Sequence, residues 1–166
     1  IVVIDPRRTP TAQMADLHLP LRSGTDVLLF NGLLSWLDAQ GYTDEAYVTT
    51  HTSGAQQALQ AARAASTDAL ATAQACGLEP ALVQQFFDCF AATGRVITAF
   101  SQGVNQSSAG VDKVNSIINC HLLTGRIGRA GMGPFSITGQ PNAMGGREVG
   151  GLSTQLAAHL ALEDEA

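Results

Sequence analysis

Three short stretches of this sequence gather residue types that hold phosphates and polar rings. The first is Ile4-Asp5-Pro6-Arg7-Arg8-Thr9, where a carboxylate, two guanidiniums and a hydroxyl follow an apolar run. A guanidinium fork matches the oxygens of a phosphate or pyrophosphate, and Asp5 can accept from ribose hydroxyls. The same residues also make an ordinary solvated turn with a capping aspartate. The second stretch is Arg22-Ser23-Gly24-Thr25-Asp26. Glycine permits close backbone approach, and a helix N-terminus favours an anion or acceptor. The two oxygens of Asp26 match the adjacent N1–H and N2–H donors of guanine, and a plain N-cap is the competing reading. The third, Ser101 to Ser108 (SQGVNQSS), is filled with amides that both donate and accept. Such groups suit a polar heterocycle such as a pterin, or simply a polar surface turn.

Other chemistries find less support. No GxGxxG follows a strand, and the glycines at 125, 128 and 131 have the wrong spacing and follow a helix, so a nicotinamide site is weakly indicated. There is no P-loop. His18, His51, His121 and His159 stand in no metal or catalytic spacing and read as surface or locally bonded side chains. Cys76, Cys89 and Cys120 are odd in number and far apart, and read as small buried thiols of a reducing compartment. No residue is assigned as a metal ligand.

The elements that must position these stretches follow from periodicity. Ile1 to Ile4 reads as a buried strand ended by Asp5-Pro6, and Leu17 to Leu21 as a second extended piece. A long helix opens at Gly24-Thr25-Asp26, with Phe30, Leu33, Leu34 and Leu37 on one face and Gly41 as its stop. Thr43-Asp44-Glu45 starts a short helix, and Ser66-Thr67-Asp68 separates two Ala/Gln-rich ones between Ala55 and Ala75. Pro80 to Ala92 is amphipathic, with Leu82, Val83, Phe86, Phe87 and Phe90 inward. Arg95 to Phe100 (RVITAF) is a strand, Ser101 to Gly110 a loop, and Val111 to Thr124 a helix facing inward through Val114, Ile117, Ile118 and Leu122. Strands alternating with helices predict an α/β fold: three layers, a mostly parallel sheet flanked by helices, Rossmann-like. Residues 125–151 hold nine glycines and read as irregular, ordered by a ligand or by further polypeptide. The division is thus an α/β cofactor-binding domain over 1–124 and a glycine-rich segment with a C-terminal tail over 125–166.

Composition narrows the class. The 166 residues are about one domain's length, 45% hydrophobic, but only 14% charged against the ~25% usual for soluble domains. So few charges suggest a surface normally covered by something else. The net charge of −5 lacks the basic stripe that nucleic acid requires. No apolar run spans a membrane. The chain opens on Ile1 with no basic leader region, which suggests an internal fragment with no visible targeting signal.

Taken together, IDPRRTPTAQMADLHLPLRSGTD, FSQGVNQSSAG and HLLTGRIGRAGMGPFSITGQPNAMGGREVGG resemble the molybdopterin oxidoreductases, specifically nitrate reductases of the assimilatory and periplasmic type. The string GQPNAMGGREVG carries the most specific part of the likeness. It implies reduction of nitrate to nitrite at molybdenum held by two molybdopterin guanine dinucleotides and fed by a [4Fe–4S] cluster. Asp5, Pro6, Arg7, Arg8 and Thr9 would then line one dinucleotide, and Gly24, Thr25 and Asp26 would grip its nucleotide end. Gln102 and Gln106 would contact the cofactor near the pterin, and Arg147 would hold nitrate as the catalytic-site arginine. The cysteine cluster for the iron–sulfur centre and the thiolate for molybdenum lie outside this sequence, so the fragment alone is expected to be inactive. The resemblance further implies an electron-donor protein or domain, the remainder of the same polypeptide as partner, and a cytoplasmic location. Formate dehydrogenase, or another member of that family, and a non-catalytic nucleotide-binding module are the alternatives.

Overall fold

The first strand, β1 (Val2–Ile4), lies parallel to β2 (Leu17–Leu19) in the register Val2 to Leu17, Val3 to His18 and Ile4 to Leu19. Between them runs the one-turn helix α1 (Pro10–Gln13), which the sequence reading missed. Its signal is local: Thr9 Oγ1 accepts from Ala12 N, and Pro10 sits in the first turn where no amide partner is needed. The computed structural model describes all residues except Thr67, 138–142, 152–155, 161 and 163–166.

Six helices follow the expected punctuation. Helix α2 (Asp26–Ala39) buries Leu29, Phe30, Leu33, Leu34 and Leu37 and is packed by α8 (Gly110–Leu123), by α4 (Ala55–Ala65) and by α5 (Ala69–Cys76). Gly32 makes the α2–α5 approach possible, because a Cβ there would run into the Thr72 hydroxyl. The intervening α3 (Glu45–His51) is capped by Asp44, whose Oδ1 accepts from Tyr47 N at 3.0 Å. Asp68 caps α5 in the same way, accepting from Ala71 N at 2.8 Å. Helix α6 (Pro80–Ala92) turns Val83, Phe86, Phe87 and Phe90 into the core.

Strand β3 (Ile97–Phe100) leads into α7 (Gln102–Asn105), a short helix where a loop was expected. The Val104 and Asn105 amides both close on Ser101 O at 3.0 Å, so the polar residues wind into a turn instead of staying extended. Next comes α8 (Gly110–Leu123), then β4 (Gly133–Ser136), which pairs with β3. Helix α8 is rotated from its expected face. It buries Lys113, Ser116, Ile117, Cys120 and His121, while Val114, Ile118 and Leu122 are only half-buried. The mixed α/β class, with short parallel strands among many helices, is the one read from the sequence.

Chain contacts divide the protein into two compact units, Ile1–Phe135 and Ser136–Ala166. In the first, Arg126 ties the end of α6 down. Its Nη2 donates to Phe90 O and Thr93 O, each at 2.9 Å, and its guanidinium lies 4.5 Å from the Phe90 ring centre. The second unit contains α9 (Ala143–Glu148) and a 3₁₀ turn at Ala157–His159, so the glycine-rich tract is not wholly irregular. Gly150 has φ +70°, and a Cβ there would meet Ala157 N at 2.7 Å, which explains the glycine. The string 139–142 within the tract lies outside the described residues. Among the described residues no helix is long and apolar enough to cross a membrane.

Candidate functional site

One cleft of about 880 Å³ opens in the first unit. Its size falls in the ~300–1,000 Å³ range of small-molecule and cofactor sites. Three chain segments, widely separated in sequence, supply its polar rim: Asp5, Pro6 and Arg7 after β1; Ser23, Gly24 and Asp26 before and at the start of α2; Ser101 and Gly103 after β3. Phe30, Phe86 and Phe90 form an apolar wall, Phe30 meeting Phe86 edge-on with ring centres 6.2 Å apart. All three polar stretches singled out in the sequence therefore contribute to one cavity.

At the β1 end, Asp5 is held by its neighbour. Its Oδ1 accepts from the Arg7 amide at 2.8 Å and from Arg7 Nε at 3.3 Å, and its Oδ2 lies 3.4 Å from Arg7 Nη2. The backbone N–H bond, then the guanidinium, hold the Asp5 carboxyl below the usual carboxylate range. The Asp5 carbonyl is engaged as well, 2.8 Å from His18 Nε2. Arg7 is exposed, so its guanidinium is oriented by Asp5 while still facing solvent. Pro6 and Arg8 are exposed, and Thr9 serves as the α1 cap. Arg8 and Thr9 are not among the cleft-lining residues.

At the start of α2, Gly24 has φ +87°, a backbone conformation that favours glycine, and a Cβ there would meet nothing within 4 Å. Thr25 is buried with its hydroxyl donating to Arg22 O at 2.6 Å, so it shapes the turn and faces away from a ligand role at the rim. Asp26 lines the cleft and carries an ion pair that the sequence reading missed: Lys113 Nζ lies 2.9 Å from Asp26 Oδ2. Lys113 lines the cleft too, and so does Arg95. The sign of Lys113 was present in the sequence as a lysine four and seven positions before Ile117 and Cys120, on the buried stripe of α8.

Gln102 and Gln106 sit at the start of α7 and just after its end, both exposed and outside the cleft lining. Arg147 lies in α9 of the second unit.

Two further groups refine the sequence reading. His121, read as a surface or locally bonded side chain, is fully buried and bonded; its Nε2 lies 2.8 Å from Thr98 Oγ1, and burial, reinforced by Arg126, pushes its pKa down to about 4. Cys89 is exposed and lines the cleft, whereas Cys76 and Cys120 are buried, with burial raising both thiol pKa values.

A profile of the family described as molybdopterin oxidoreductase matches residues 1–164. A nitrate reductase of Shewanella frigidimarina (strain NCIMB 400) is 50% identical over 160 residues, which is 96% of this chain and 17% of that protein. A nitrate reductase of Klebsiella oxytoca is 50% identical over 165 residues, 99% of this chain and 18% of that protein. The F420-dependent formate dehydrogenase 1 subunit alpha of Methanococcus maripaludis is 32% identical over 152 residues, 92% of this chain and 22% of that protein. The chain thus spans less than a fifth of the length of the two nitrate reductases. Among solved structures, acetylene hydratase from Pelobacter acetylenicus shares the fold with a TM-score of 0.71 at 22% identity, covering 78% of this chain and 18% of that one.

Proposed function

The chain belongs to the molybdopterin oxidoreductase family, and from that premise we propose that it forms one wall of the site for a molybdenum–pterin cofactor in its guanine dinucleotide form, within an enzyme that reduces nitrate to nitrite. The observation that carries this reading is the cleft, which draws the ends of β1 and β3 and the start of α2 into one cavity. Ligands of open α/β folds sit beyond the carboxyl ends of strands, and Asp5 and Ser101, which follow β1 and β3, line this cleft. The residues fit such a group. Arg7 and Arg95 offer planar forks for a diphosphate, Gly24 leaves bare backbone at the rim, and the phenylalanines offer a face to a flat ring.

When bound, the molybdenum centre supplies two-electron oxygen-atom transfer. The chain's own residues bind and orient. Asp5 aims Arg7 at phosphate, Asp26 accepts from the purine, and Gln102 and Gln106 are assigned to the pterin portion by resemblance to the family. Arg147 is assigned to nitrate, a planar oxyanion that matches a guanidinium's paired donors. The [4Fe–4S] cluster, the molybdenum thiolate and the second dinucleotide site belong to the rest of the polypeptide in this reading, together with an electron-donor partner and a cytoplasmic setting.

The test uses the full-length polypeptide. Acid release is expected to yield guanosine monophosphate together with molybdenum, and reduced viologen is expected to be oxidised by nitrate. A different nucleotide would remove the guanine assignment. Formate oxidation is the second reading, favoured by the 32% identity to a formate dehydrogenase. Turnover of formate without turnover of nitrate would establish it in place of the first.

A further inference from the structure

The cleft is also a gap between two sheet edges. Val2 and Ile4 of β1 line one side of it, and Ile97 and Ala99 of β3 line another. Each of these strands has a single hydrogen-bonded neighbour, β2 for β1 and β4 for β3. Residues of a strand turn their backbone groups alternately to its two edges. Leu17 N donates to Ile1 O and Asp5 N donates to Leu19 O, both at 3.3 Å, so Ile1, Val3 and Asp5 turn toward β2. Val2 and Ile4 then turn their N–H and C=O groups to the opposite edge, and Val3 is the residue of β1 absent from the cleft lining. On β3, Gly133 N donates to Val96 O at 2.9 Å, which turns Val96 and Thr98 toward β4 and Ile97 and Ala99 away from it. Among the described residues, these four meet no backbone partner on that side.

Two open edges flanking one apolar gap call for an extended segment. A strand presents N–H and C=O groups to both sides at a regular repeat, which no dinucleotide does. Phe90 and Ile117 line the same gap, and Ile97 is 57% exposed although large and apolar. A segment seated there would be flanked on both edges and rich in Val, Ile or Leu, the pattern of an interior strand. The chain spans less than a fifth of the two nitrate reductases, so further polypeptide is there to supply it. We propose that β1 and β3 hold between them an apolar strand from the remainder of the same polypeptide. The two pairs then join as one sheet in the order β2, β1, inserted strand, β3, β4. The strand takes the length of the gap, and the polar rim at Asp5, Gly24 and Ser101 stays open for the cofactor. The inference is independent of which nucleotide or substrate the enzyme uses.

The test is backbone hydrogen exchange, resolved residue by residue by mass spectrometry, on the full-length polypeptide made without its cofactor. The Val2, Ile4, Ile97 and Ala99 amides are expected to exchange as slowly as those of Val3 and Thr98, which face β2 and β4. An unfilled gap would leave them about 100-fold faster, as open edges are, and would overturn the inference. Slow exchange that appears only as the polypeptide concentration rises would assign the gap to a second copy and overturn it equally. A cryo-EM map of the loaded enzyme provides a second measurement that needs no cofactor-free form. It is expected to show a strand from outside these 166 residues bonded to both β1 and β3. Direct pairing of β1 with β3, or cofactor alone in the gap, would overturn the proposal. Release of the nucleotide is read separately, so failure of the guanine assignment would leave this result standing.

Discussion

His121 Nε2 lies 2.8 Å from Thr98 Oγ1, a bond that fastens α8 to β3 through two side chains far apart in sequence. The ring is buried and its Nδ1 has no partner among the described residues. Protonation would place a second charge near the Arg126 guanidinium.

A pH dependence follows. The folded chain holds His121 neutral down to about pH 4, whereas an unfolded histidine titrates near 6.5. Between those values the unfolded state binds more protons, so stability is complete above pH 6.5 and declines as pH falls toward 4. The loss amounts to about 3 kcal/mol over that window. Asp5, with its carboxyl pKa lowered from 3.8, contributes a loss only below that value. Urea unfolding across pH 4–7 should show the decline, and His121→Gln should flatten it; an unchanged slope would assign the acid limb elsewhere.

Removing Arg126 should be costly. Its Nη2 serves both Phe90 O and Thr93 O, carbonyls at the end of α6 that have no helical amide to accept from. Arg126→Met is expected to lower stability by about 2–4 kcal/mol. Arg126→Lys should recover only part, because an ammonium lacks the planar guanidinium that lies over the Phe90 ring. Denaturant midpoints measure both.

Gly32→Ala should cost about 1–3 kcal/mol, the range for overpacking a closed interface. Thr72→Ala removes the hydroxyl and methyl that the new Cβ would meet. The double variant should therefore be more stable than the sum of the single losses implies, a coupling that a double-mutant cycle reads directly.

Thiol chemistry should separate the cysteines. In the native chain one thiol, Cys89, is expected to react rapidly with a thiol-specific disulfide reagent, while Cys76 and Cys120 react only on unfolding. Since Cys89 lines the cleft, its modification should also weaken nucleotide binding. Rapid reaction of all three would contradict the packing of α5 and α8.

In the full-length enzyme, Arg147→Lys is expected to raise KM for nitrate by about tenfold with a smaller change in kcat, because an ammonium lacks the paired planar donors. Unchanged nitrate kinetics would remove Arg147 from the substrate site.

What could be read from the sequence was what local chemistry decides. Asp44 and Asp68 mark helix starts through bonds that reach no further than one turn, Pro80 through the amide it lacks, and all three mark helices of the structure. The rim segments after β1 and before α2 were legible for the same reason. Lys113 was visible only as a lysine at helical spacing from Ile117, and its meaning depends on Asp26, a partner no local pattern can supply. The α8 face was misjudged because counting apolar residues favoured Val114 and Leu122 over a stripe containing lysine, serine and histidine. A helix at α7 was hidden by its glycine and asparagine, which are poor helix formers.

The short parallel pair β1–β2 bears on the order of assembly. Its register is closed by contacts within the first nineteen residues, across a single turn of helix. The Asp26–Lys113 bond, by contrast, must bring together the beginning of α2 and a helix that is made much later in synthesis. Closing so long a loop is entropically slower than closing a short one. One lip of the cleft can therefore gather while the chain is still being made, but the opposite lip must wait until α8 has emerged and docked. Ligand capture by both lips is a late event in the life of the polypeptide.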